Sequence, residues 1–139
     1  MKNDRLVYQI STGVICAVMV YSVISFNLTI PLAPPEGSFR HLGLPDYIRV
    51  ELSLAKTLGV LALLVPRVPF KLREFAYFGF GITLVSASVA HVSSGDGVMF
   101  VLDPLIFLGI LIVSYRWFLR LHAGVDEPKN AKTAGRAEL

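Results

Sequence analysis

The sequence predicts an all-α protein, a polytopic membrane four-helix bundle with both termini in the cytoplasm. Three observations carry that reading. Of 139 residues, 54% are hydrophobic and only 17% charged, with a mean hydropathy of +0.62, which is more apolar side chain than a soluble domain this short can bury. The apolar residues fall in four blocks, 6–30, 47–65, 72–94 and 98–121, each near the roughly 20 residues that cross about 30 Å of hydrocarbon. Lys and Arg gather at alternate ends of those blocks, as the positive-inside rule requires.

The first block follows Lys2 and Arg5, so a cleaved signal peptide competes with a spanning helix. An h-region of about 7 to 15 residues would be expected there, whereas this run is longer and no small-x-small site follows it. Pro31, Pro34 and Pro35 end the block. The second block opens behind Pro45 and closes before Pro66; the third lies between the basic group Arg67, Lys71, Arg73 and a Ser-Gly-Asp turn; the fourth ends on Arg116 and Arg120. Irregular backbone is not tolerated in hydrocarbon, and the blocks are too long for the roughly 10-residue alternating strands of a membrane barrel. Helices remain. Residues 1–122 therefore form one membrane domain, and the polar, charge-mixed run 123–139 is expected to be a disordered tail.

Lys2 and Arg5, the second connection, and the basic residues from Arg116 onward, including Lys129, Lys132 and Arg136, should face the cytoplasm. The third connection carries Asp96 and no base, and the first mixes Arg40 and Arg49 with Glu36 and Asp46, so both fit the outer face. The expected site is the inner membrane, N-in and C-in. A net charge of +3 and a pI near 9.2 do not make a nucleic-acid surface, because the bases are spread over loop ends rather than clustered with aromatics. No nucleic-acid partner is expected.

Cys16 is the single cysteine and lies inside the first block. An intrachain disulfide, a Cys-x-x-Cys redox pair and a Cys/His zinc pattern are all excluded, and Cys16 reads as a small apolar packing residue. Of His41, His91 and His122, only His91 sits within a span. Bis-histidine haem within one chain is therefore not expected, although a dimer would offer His91 twice. No metal site is expected.

An ionisable group in hydrocarbon is costly and marks a candidate site that needs a partner. Glu51 and Lys56 both lie in the second block. Lys56 is about nine residues in, roughly 13 Å deep at the helical rise of about 1.5 Å, so a bundle-interior partner or a wet cavity is expected. Five residues separate the two charges, leaving them roughly 140° apart around the helix. Asp103 or His91 from neighbouring helices are the alternative partners for Lys56, and Arg49 or the outer loop for Glu51. Ion pairs that only fix helix rotation are the competing account. Gly79, Thr83, Ser86, Ala87, Ala90, His91 and Ser94 form a small, polar stripe at helical spacing, read as a packing face that turns His91 inward. Asp103 precedes Pro104, which reads first as an N-cap with proline at N1. If the helix begins near Val98 instead, Asp103 lies inside it and faces His91 or Lys56. In the long first connection, Arg40 and His41 could meet an anionic headgroup beside apolar anchors.

The segments 41–48 (HLGLPDYI), 55–67 (AKTLGVLALLVPR), 74–79 (EFAYFG) and 90–96 (AHVSSGD) resemble, in order and spacing, the DoxX-like family of small four-helix integral membrane proteins. The resemblance implies that fold and singles out Glu51, Lys56, His91 and Asp96. Its members include a subunit of a thiosulfate:quinone oxidoreductase, proteins associated with membrane redox complexes, and receptor assembly factors, so it implies no single activity. With no cysteine motif in this chain, direct thiol chemistry is not expected.

The leading expectation is an accessory subunit of a membrane complex, quinone-linked and redox in character, beside a larger subunit and the lipid bilayer. A small membrane enzyme or proton-coupled carrier for an amphiphile, with Glu51 or His91 exchanging protons and Lys56 holding an oxygen, is the second. An assembly factor without chemistry is the third. A quinone or lipid ligand is compatible with the residues and none is required, and a homo-oligomer stays open.

Overall fold

The computed structural model describes residues 2–28 and 42–134, with side chains up to Ala123. Among them are four helices and no strand: α1 (Lys2–Asn27), α2 (Asp46–Leu64), α3 (Phe70–Ser93) and α4 (Val98–Ala134). The expectation for Arg40 and His41 falls outside the described residues.

Prolines place the helix boundaries. Pro45 and Pro69 sit just before α2 and α3 in extended conformation, where the ring's fixed φ costs nothing and its missing N–H is not needed. Val65 precedes Pro66 and is driven extended in turn. The carbonyl of Val65, left over at the end of α2, accepts a hydrogen bond from Arg73 Nη2 at 2.8 Å, so the 65–69 connection is tied to the start of α3. At the opposite end, Gly95 takes a φ of +71°, a left-handed conformation that ends α3 with little strain only in glycine. α4 runs on to Ala134, past the stop expected at 121. Gly124 and Pro128 oppose this extension, while Ala123, Glu127, Lys129, Ala131 and Lys132 favour it and propagation from a long helix needs no new nucleus.

The helices form a ring in which α1 packs on α2 and α4, and α3 packs on α2 and α4. Residue pairs fix the directions as antiparallel. Ser22 meets Lys56, and Asn27 meets Ser53 and Arg49, between α1 and α2. Ser88 meets Val101, and Glu74 meets Tyr115, between α3 and α4. Three helices, Lys2–Asn27, Phe70–Ser93 and the Val98–Ala123 part of α4, are long and apolar enough to cross a membrane. α2 has the length, but Arg49, Glu51 and Lys56 lower its apolarity, so the four expected spans are matched by three on apolarity.

The half of the bundle next to the 65–69 connection is densely filled. Phe118 is fully buried and stacks on Phe70 at 4.9 Å between ring centroids, with Tyr77 at 5.4 Å and His122 at 4.4 Å. Above these rings lies a buried hydroxyl node: Ser114 Oγ is 2.7 Å from Thr12 Oγ1 and 2.8 Å from Tyr77 Oη. It joins α1, α3 and α4, and each hydroxyl satisfies another in a buried place, where an unpaired one would be costly. Cys16 is buried in the adjoining core with Ile15 and Met19.

The small stripe on α3 is only in part the inward face it was expected to be: Thr83, Ala87, Ala90 and His91 are half-buried, while Gly79, Ser86 and Ser94 are exposed. The fully buried row is Ala76, Tyr77, Phe80, Leu84 and Ser88. Close approach comes from α2 instead, where Gly59 lies against the Phe80 ring.

Candidate functional site

Toward the 94–97 turn the ring of helices opens around a cavity of about 860 Å³, lined by α1, α2, α3, α4 and Leu42. That size lies in the range of about 300–1,000 Å³ typical of small-molecule sites. Met19, Leu84, Phe100 and Phe107 supply apolar wall; Ser22, Ser25, Lys56, Thr83, His91, Asp96 and Asp103 supply the polar groups. Four of the five side chains singled out in the sequence, Lys56, His91, Asp96 and Asp103, therefore share one cavity. Glu51 does not join them: it is exposed and outside the lining. Its neighbour Arg49 is occupied by Asp46 at 3.7 Å and by Asn27 Oδ1 at 2.8 Å.

Lys56 is only 5% exposed. Its Nζ donates to Ser22 Oγ at 2.7 Å and stands 4.2 Å from the centroid of the Phe26 ring. The ion pair expected with Asp103 or His91 does not form, because α1 supplies the nearer surface. An ammonium has three N–H donors, and one hydroxyl with one ring face leaves hydrogen-bonding capacity turned to the cavity. Ser25 Oγ, also on the lining, is buried with no partner among the described residues.

His91 and Asp96 form a dyad at the α3–α4 turn, with Nδ1 and Oδ2 2.6 Å apart. The turn itself brings them together, since Asp96 N donates to the carbonyl of His91 at 3.1 Å. The ring lies 5.9 Å from that of Phe100.

Asp103 is not a helix cap. α4 begins at Val98, so Asp103 lies inside the helix, and the Asp-Pro signal of a helix start is overridden by a start one turn earlier. Pro104, lacking an N–H, leaves the Phe100 carbonyl without its usual donor, while Ser88 Oγ donates to the neighbouring Val101 carbonyl at 3.0 Å. Asp103 makes no ion pair or hydrogen bond among the described residues.

Sequence reasoning missed two polar contacts altogether. One is the Thr12–Ser114–Tyr77 node. The other is Tyr115 Oη donating to Glu74 Oε1 at 2.6 Å, beside a second, apolar groove of about 420 Å³ between α3 and α4. Isolated hydroxyls in apolar runs, such as Thr12 and Ser114, were the available signal. No group of three or more His, Cys, Asp or Glu side chains among the described residues could hold a metal ion.

A helical bundle with three helices long and apolar enough to cross a membrane, around a largely apolar cavity that carries a few polar groups, defines a small integral membrane protein. The chain matches the DoxX-like family over residues 10–114, most of its length, and it belongs to that family. No curated protein and no solved structure matches it.

Proposed function

We propose that this DoxX-like protein binds an amphiphilic small molecule in the 860 Å³ cavity, with the head against Lys56, as the membrane-embedded accessory subunit of a larger, quinone-linked redox complex. It would lie in the inner membrane, N-in and C-in, as the loop bases favour.

One observation carries the binding reading: a nearly fully buried Lys56 on the cavity wall, whose partners among the described residues are Ser22 and Phe26. Burying an unpaired ammonium costs several kcal/mol. The hydrogen bond returns about 1.5–3 kcal/mol and the ring about 2 kcal/mol or more when desolvated. The remaining N–H capacity is suited to a ligand's carbonyl or anionic oxygen. The subunit role rests on the family and not on any contact within the bundle. A second reading, an enzyme or proton-coupled carrier, is favoured by the His91–Asp96 dyad in the same cavity, since a carboxylate-oriented imidazole is suited to proton exchange.

Native mass spectrometry of the protein released from mild detergent, with organic extraction of what it carries, tests the proposal. A stoichiometric amphiphile on wild type that is lost from Lys56→Met supports binding, and a co-purifying larger subunit supports the accessory role. An apo wild-type chain, or equal occupancy in Lys56→Met, refutes the placement at Lys56. Turnover by the isolated chain refutes the accessory role in favour of the enzyme.

A further inference from the structure

The polar groups of the cavity are not equivalent in hydrogen-bonding sense. On α2 Lys56 has N–H donors and no acceptor, with one donor already given to Ser22 at 2.7 Å. Elsewhere on the lining are groups that can accept. Asp103, as a carboxylate, offers oxygens only, and none is used by the described residues. His91 turns Nδ1 to the Asp96 carboxylate at 2.6 Å; a carboxylate can only accept, so Nδ1 carries a hydrogen there, and Nε2 accepts when the ring is neutral. Thr83 spends its hydroxyl hydrogen on the Gly79 carbonyl at 2.9 Å and presents lone pairs to the same cavity.

We infer that the cavity selects an amphiphile whose head carries both an acceptor oxygen, for Lys56, and a hydroxyl donor, for Asp103 or His91. The inference rests on the binding reading above and adds the polarity of the head. Asp96, itself on the cavity lining, is then the positioning residue that sets the sense of His91. A ligand that only accepts, such as an ether or a simple ester, satisfies Lys56 but covers the open acceptors of Asp103 and His91 without giving them a donor.

The test compares nonyl 4-hydroxybenzoate with nonyl 4-methoxybenzoate, which share the ester carbonyl and the tail and differ in one donor. Equilibrium dialysis would be run on the full-length protein in mild detergent. Loss of a hydrogen bond to a charged or oriented acceptor should weaken the methoxy compound by about 10-fold or more. Lys56→Met should weaken both compounds, and Asp103→Leu combined with His91→Phe should narrow their ratio toward one. Equal affinities in wild type, with both still weakened by Lys56→Met, overturn the inferred polarity and leave cavity binding intact. A full ratio surviving in the Asp103→Leu/His91→Phe double variant also overturns it. Failure of either compound to bind saturably, or indifference to Lys56→Met, overturns the binding reading together with the inference. The wild-type ratio needs no variant to fold.

Discussion

Replacing Gly59 with alanine probes the tightest helix contact in the bundle. A Cβ at this position would stand 2.6 Å from Phe80 Cε1 and 2.7 Å from Cζ, against a comfortable carbon–carbon separation of about 3.5–4.0 Å. Phe80 is 3% exposed and belongs to the central buried cluster, so its ring can yield only by pressing on buried neighbours. Overpacking of this kind costs about 1–3 kcal/mol, partly offset by the roughly 1 kcal/mol that alanine gains over glycine within a helix. Gly79 and Gly109 supply the controls, because nothing lies within 4 Å of a Cβ built on either. Their alanine variants keep the gain without the clash. The Gly59→Ala protein should therefore be less stable than Gly79→Ala by about 1–3 kcal/mol, read as a lower unfolding midpoint in the same detergent. Phe80→Leu in the same chain should recover part of the difference, since the residues touch and their effects should not add. A Gly59→Ala protein as stable as Gly79→Ala would refute the close α2–α3 packing and with it the position of Lys56, one turn away on the same helix.

Four further outcomes follow from the geometry. Lys56→Met removes a buried charge while keeping an apolar stem, so the ligand-free protein should unfold at a midpoint no lower than wild type; a marked drop would make Lys56 a structural partner. Glu51→Gln should change neither stability, by more than about 0.5 kcal/mol, nor ligand binding, because the side chain is exposed and outside the cavity. Ser114→Ala breaks two short hydrogen bonds in a fully buried node and should lower stability by about 1–3 kcal/mol in a denaturant titration. Cys16, 4% exposed, should resist maleimide in the folded protein and react promptly once SDS unfolds it; fast labelling of folded protein would refute the α1 packing.

The helices were legible because hydrophobic block length and proline placement are local properties. Pro45 and Pro66 bracket α2 in the sequence as they do in the fold. Lys56 was legible as a buried charge for the same reason, from its depth alone. Its partners were not, since choosing Ser22 over Asp103 requires the rotation of two helices about their axes, which no local pattern encodes. At Asp103 and Pro104 a sound local rule misled: the pair has the chemistry of a helix start, yet the backbone already turns helically from Val98. The stripe on α3 was legible only in part. Small residues permit close packing, but Gly79 and Ser86 face outward while Phe80, drawn to Gly59 across the interface, carries the contact.

The two halves of the bundle are unlike. Phe118, Phe70, Tyr77 and the Ser114 node pack the interior of one, while the other holds the cavity. The cavity is backed, beyond its own wall of Met19 and Leu84, by those packed rings. Passage from the cavity through the packed half would require breaking the Thr12–Ser114–Tyr77 contacts that hold α1, α3 and α4 together, so the architecture is that of a receptacle rather than a channel.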